Sequence, residues 1–189
     1  MMDQERITQY IHSLDQGHGA FCDQIAKAAR ADRVPIIRKE TANFLQAMVA
    51  ATRPKRILEV GTAVGYSALL MAQVMPEETD IITIEKYEPR IPVARRHFAE
   101  AGLSDRITLL EGDAGEILKK LDGSFDLSLW MRQRDSISTG CRIFSGCYPQ
   151  GVCCFLIMYC RTATSLSPAL RWSAETARSM RACGSICTP

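Results

Sequence analysis

Two glycines and three acids carry most of the chemistry this sequence can offer. Glu59 stands two residues before Gly61, and Gly65 follows four residues later, all at the end of the apolar run Arg56-Ile-Leu-Glu-Val60. An apolar run too short for a helix, then glycines, reads as a buried strand turning sharply into a helix that begins near Tyr66. Glycines at such a turn let the backbone approach a ligand where any Cβ would clash. The Gly-x-x-x-Gly spacing is not the Gly-x-Gly-x-x-Gly that cradles a pyrophosphate, so a small cofactor fits better than a dinucleotide. The next β-branched run, Asp80-Ile-Ile-Thr-Ile-Glu85, ends in a carboxylate a little over 20 residues after the glycine turn. In nucleotide-binding α/β sheets an acid there accepts hydrogen bonds from ribose hydroxyls. A third run, Arg106-Ile-Thr-Leu-Leu-Glu111, closes on Gly112-Asp113-Ala114 at the start of another helix.

These groups can act together only if the elements between them bring the turns to one edge. Helical segments are expected at 67–75, 89–101 and 114–121, alternating with the three strands. Short strand–helix units with right-handed crossovers build an α/β fold, a Rossmann-like doubly wound parallel sheet. Glycine turn, ribose carboxylate and Gly-Asp-Ala would then line one crevice at the strands' carboxyl ends. Upstream, 5–14, 21–31 and 40–51 read as amphipathic helices covering the sheet. Residues 1–52 thus form a helical cap and 53–127 the cofactor-binding core. His12 and His18 read as solvent-facing, and His97, in Arg95-Arg96-His97, as part of a solvated basic face. The arginines of 90–96 read as a solubilising charge run.

The order ILEVGTAVGYSA (57–68), ITIEK (82–86) and ITLLEGDA (107–114) resembles motifs one to three of the class I S-adenosylmethionine-dependent methyltransferases. More narrowly it resembles the metal-dependent O-methyltransferases of the catechol and caffeoyl-CoA type. Arg33-Val-Pro-Ile-Ile37 and Gly65-Tyr-Ser-Ala68 look closest to the bacterial branch that methylates 5-hydroxyuridine in tRNA. The resemblance covers roughly residues 30–127. It implies that Gly61 and Ser67 contact the methionine moiety of S-adenosyl-L-methionine, that Glu85 holds the ribose, and that Asp113 and Ala114 meet the adenine. Ile37 would close over the cofactor. Glu59 is either a cofactor-site acid or an ordinary strand-end carboxylate. Methyl transfer to tRNA is the first expectation and a small catechol-like acceptor the second. A non-catalytic remnant that binds S-adenosylmethionine is a third reading, and a nicotinamide-dependent oxidoreductase is disfavoured by the glycine spacing. The resemblance also admits tRNA and a second copy of the chain as partners.

Charge and cysteine usage break after Leu127. Residues 1–127 hold 16 Lys+Arg, 19 Asp+Glu and one cysteine, whereas 128–189 hold seven arginines, no lysine, two acids and seven cysteines. A secreted disulfide module does not suit a chain that opens with a nucleotide-type fold. Zinc does not suit cysteines without a C-x-x-C pair or a histidine among them. An out-of-frame tail does suit them. Trp130 and Met131 have single codons, and shifting the register by one base forces an aspartate across them. Permitted codons for Leu129 to Ser138 then read Met-Asp-Ala-Ala-Lys-Gly-Gln-Tyr, and those near Met158 read a segment containing Asp-Asn. Both phrases are what the resembled enzymes carry to hold a divalent cation, Mg2+, through oxygen ligands. In the chain as written Met131, Ile157 and Met158 stand near those positions, and none is a ligand for a hard cation. The expected fold is therefore truncated after the third to fourth strand, with 128–189 aberrant and no metal ligands. A net charge of +2 does not by itself favour nucleic acid. No membrane-spanning or leader segment is legible, so the cytoplasm is the default location.

Overall fold

The computed structural model describes residues 4–13, 17–131 and 154–158. Helices α1 (Gln4–Ser13), α2 (Ala20–Ala31) and α3 (Lys39–Thr52) precede the first strand, β1 (Arg56–Val60). Then come α4 (Tyr66–Ala72), β2 (Asp80–Glu85), α5 (Ile91–Glu100), β3 (Ile107–Glu111), α6 (Ala114–Leu118), β4 (Leu127–Met131) and β5 (Cys154–Met158). The strands form one sheet in the order β3-β2-β1-β4-β5, and every neighbouring pair is parallel. The order reverses between β1 and β4, which is where doubly wound sheets bind ligands, at the carboxyl ends. Among the described residues no helix is long and apolar enough to cross a membrane.

Strands covered on both faces need apolar residues at successive positions, and β1 supplies them. Ile57 packs into the larger cluster with Ile81, Ile107, Leu127 and Leu129, roofed by Ala26 and Ala29 of α2, Leu45 and Val49 of α3, and Phe98 of α5. One residue on, Leu58 faces the other way, into a smaller cluster with Val60, Ile84, Phe125, Trp130 and Leu118 of α6. Helix α3 ends where Arg53 turns left-handed (φ 44°), immediately before Pro54. The entry to β1 is then latched to the entry to β4. Asp126 Oδ2 accepts from the backbone N–H of Lys55 (2.7 Å) and of Arg56 (3.0 Å).

The structure departs from the sequence expectation at β4, at His18 and at His97, which is half-buried against Val64 rather than part of a solvated face. Strand β4 runs straight through the composition break, with Ser128, Leu129 and Trp130 buried. The sheet does not stop there, because Cys154–Met158 pairs with it from Leu127↔Cys154 to Met131↔Met158. The apolar run at 151–158 is the stretch whose hydrophobicity could stand in for a missing strand, and it satisfies the open backbone edge of β4 whatever its origin. His18 is buried rather than solvent-facing. Gly17 (φ 79°) and Gly19 (φ 85°) fold the chain inward around it. Its Nε2 lies 2.7 Å from Asn43 Oδ1 and its Nδ1 3.4 Å from the Tyr66 hydroxyl. The side chain of His12, Asp135, the cysteines from Cys141 to Cys153 and those from Cys160 on lie outside the described residues.

Candidate functional site

The turn between β1 and α4 is built from left-handed residues. Gly61 (φ 102°) leaves the strand and Gly65 (φ 84°) opens α4. A Cβ on Gly61 would meet the Met131 carbonyl oxygen at 2.5 Å, so only glycine lets β1 and β4 close together here. A Cβ on Gly65 would strike the Phe98 ring at 2.6 Å. Between them Ala63 is also left-handed (φ 50°), a conformation costing a non-glycine residue on the order of 1 kcal/mol or more. The N–H groups of Gly61 and Thr62 both donate to the Ile84 carbonyl, at 2.9 and 3.2 Å, which ties the turn to β2.

Glu85 occupies the end of β2, 8% exposed, and braces that turn. Its Oε2 accepts from the Ala63 N–H at 2.6 Å, and its Oε1 from the Lys86 and Tyr87 N–H groups at 3.0 and 2.8 Å. A carboxylate offers about four lone-pair sites, so three backbone donors leave room for one more partner. Asp113 stands at the neighbouring strand end as the N-cap of α6, accepting from Gly115 N–H at 2.9 Å. The Lys86 ammonium hydrogen-bonded to it at 3.1 Å, together with that N–H, holds its carboxyl below the usual carboxylate range. Ala114 is half-buried beside it. Gly61, Glu85, Asp113 and Ala114 thus line adjacent strand ends, as the alternation of strands and helices requires.

Glu59, Ser67 and Ile37 sit deeper. Glu59 is wholly buried between β1 and α4, accepting from the Ser67 hydroxyl at 2.5 Å and the Thr83 hydroxyl at 2.6 Å. Thr62 Oγ1 lies 2.6 Å from Thr83 Oγ1 and extends the network under the turn. Burial pushes the Glu59 carboxyl up to about 7, against the two hydroxyls, which favour the charged form. Ser67 spends its hydroxyl on Glu59, and Ile37 is packed in the larger core cluster.

Two contacts at the turn carry no signal in the sequence. His97 is half-buried on α5, and its Nδ1 lies 2.8 Å from the Val64 carbonyl oxygen. Thr62 and Thr83, read only as strand and turn residues, complete the network around Glu59. Nearby charges are paired as a solvated face would be: Arg95 with Glu111, and Arg96 with Glu100.

Beside the Gly61 turn β4 ends in Met131, opposite Met158 of β5 in the register. Among the described residues no three His, Cys, Asp or Glu side chains converge on a point. The residues at these two strand ends do not fit Mg2+, since a thioether is a soft donor and the cation is hard.

Similar proteins fall into one group. A family model described as O-methyltransferase matches residues 22–133, more than half of the chain. Catechol O-methyltransferase of Niastella koreensis is 37% identical over 89 residues, covering 44% of this chain and 40% of that protein. The chain therefore spans well under two thirds of such relatives. Podospora anserina methyltransferase PaMTH1, solved with SAH, superposes with a TM-score of 0.62 at 28% identity, over 69% of this chain and 58% of that one. O-methyltransferase TomG from Streptomyces achromogenes, solved in complex with SAM and involved in tomaymycin synthesis, gives 0.60 at 29% identity, over 69% and 62%.

Proposed function

Because the chain belongs to the O-methyltransferase family, we propose that it binds S-adenosylmethionine at the carboxyl ends of β1–β3 and derives from an enzyme that transfers its methyl group to a hydroxyl. The observation carrying this reading is the Glu85 carboxylate, held by three backbone N–H groups at the end of β2 with acceptor capacity left. Glu85 holds the ribose, the Gly61 turn passes the methionine moiety, and Asp113 with Ala114 flanks the adenine. Glu59 and Ser67 act beneath the turn and support it, and Ile37 closes the core behind the cofactor.

Removing an acceptor of a charge-assisted bond should weaken binding by about 1.5–3 kcal/mol. Calorimetry with S-adenosylmethionine on Glu85→Ala tests it, with Glu85→Gln as the companion that keeps an oxygen toward the turn. Affinity unchanged in both variants would mean the ribose lies elsewhere.

The acceptor we propose is a small hydroxylated aromatic, supported by the catechol-type relatives. The second reading, 5-hydroxyuridine in tRNA, is supported by the phrases Arg33-Val-Pro-Ile-Ile37 and Gly65-Tyr-Ser-Ala68 alone. We propose further that the residues from Ser128 on, most of β4 included, are read out of frame, and that this chain turns over little for want of the acids that would hold a cation. The family match ending at residue 133, close to the composition break, supports that origin. In the parent enzyme a divalent cation would bind the acceptor oxygen and favour its alkoxide, with the protein supplying orientation. Resequencing the gene and assaying methyl transfer to a catechol and to hydroxyuridine-bearing tRNA, with and without Mg2+, tests both points. Metal-dependent turnover by the chain as written would overturn the inactive reading. A verified gene unable to yield Met-Asp-Ala-Ala-Lys in the neighbouring frame would overturn the frame-shift origin.

A further inference from the structure

We infer that His97 is a positioning residue for the cofactor turn, holding it in its binding conformation from helix α5; the inference rests on the S-adenosylmethionine reading above. Helix α5 presses on the turn with two consecutive side chains. Phe98 fills the space that the missing Cβ of Gly65 leaves open. His97 places Nδ1 2.8 Å from the Val64 carbonyl oxygen. A carbonyl can only accept, so that nitrogen carries the proton and donates. The imidazole also meets the Phe21 ring of α2 in a T-shaped arrangement, with centroids 6.3 Å apart and planes at 87°. The ring is therefore fixed by a second element while it holds the first.

The gripped carbonyl belongs to the peptide joining Val64 to Gly65, one residue beyond Ala63, whose left-handed backbone is unfavourable on its own. Such a conformation persists only where its surroundings over-determine it. Here Glu85 takes the Ala63 N–H at 2.6 Å on one side of the strained residue, and His97 takes the Val64 carbonyl on the other. The first contact also belongs to the proposed ribose site, whereas the second comes from α5 and involves none of the residues proposed to touch the cofactor. Releasing it should lower the population of the binding-ready turn, and affinity falls by that fraction.

Two variants separate the grip from the packing. His97→Phe keeps an aromatic ring against Phe21 and removes the donor. His97→Asn keeps an N–H donor near the Nδ1 position and removes the ring. The expected result is S-adenosylmethionine binding weakened about tenfold in His97→Phe, with wild-type affinity largely restored in His97→Asn. Amide hydrogen exchange on the ligand-free chain gives an independent measure. Exchange at Ala63 and Gly65 should quicken in His97→Phe and return toward the wild-type rate in His97→Asn. A wild-type chain that binds no S-adenosylmethionine, yet shows this exchange pattern, would sink the cofactor reading and leave the brace standing. Unchanged exchange in His97→Phe, or losses in both variants that follow only their melting temperatures, would overturn the positioning role.

Discussion

Strands β1 and β4 are packed alike, yet the two sides of the sheet they begin are equipped differently. The carboxyl ends of β1, β2 and β3 carry Gly61, Glu85 and Gly112-Asp113, while those of β4 and β5 carry Met131 and Met158. Yet Leu129 of β4 is as buried as Ile57 of β1, at 1% and 0% exposure, and both join the same cluster. Packing asks only for apolar residues of suitable size at the right alternation, a demand many sequences meet. Chemistry asks for one side chain at one place. A segment of unrelated composition can therefore complete a core without completing a site.

The comparison breaks most visibly if the packing of β4 is illusory. Leu129→Ala should cost about 2–5 kcal/mol, the same range as Ile57→Ala, read from denaturant unfolding of both variants. A cost under about 1 kcal/mol for Leu129→Ala alone would mean the second half of the sheet contributes little core.

The next effect sharpens the contrast from the cofactor half. Glu59 titrates near 7 when folded, against an ordinary value of 4.5, so the unfolded chain loses its proton first as pH rises. Stability linked to this group is then fully present below about pH 4.5 and falls between there and about pH 7, by on the order of 3 kcal/mol. Unfolding free energies across that window should show the fall in the native chain and a flatter profile in Glu59→Gln. An identical slope in both would assign the titration to another group.

The smallest effect is at Asp113. Losing its N-cap bond to Gly115 in Asp113→Ala should cost about 1 kcal/mol at neutral pH. Its carboxyl is held low when folded, so the contribution is present above its ordinary range and lost as pH falls through the folded value. Thermal melts of both proteins at neutral and strongly acidic pH check this, the gap between them closing in acid. A gap that stays constant would mean the capping carboxylate is not what the substitution removes.

Much of the fold was legible because buried parallel strands read as short apolar runs, and β1 to β3 fell where those runs lie. The places of Gly61, Glu85 and Asp113 followed from strand order alone. What Glu85 does was less legible, since its three donors depend on the left-handed path through Ala63, and alanine carries no signal for that conformation. His18 and His97 misled for a related reason: helix periodicity says which face is apolar, not which loop crosses it. A fourth strand starting near Leu127 and pairing with β1 was legible, but the composition break hid its continuation, because averages over 62 residues conceal the five-residue pattern Leu127-Ser-Leu-Trp-Met131.

The latch at Asp126 has a bearing on assembly. Its carboxylate reaches back over 70 and 71 positions to seize both N–H groups at the mouth of β1. Closing so long a loop costs entropy that grows only slowly with further length, so once the latch forms, later residues join at little extra expense. It also sets their phase. Ile57 lies opposite Leu127, and each following residue falls into step before its own identity matters. A strand entering through that gate needs only the right alternation to be accepted, and a miscoded stretch beginning just beyond it would be threaded into the sheet as readily as a faithful one.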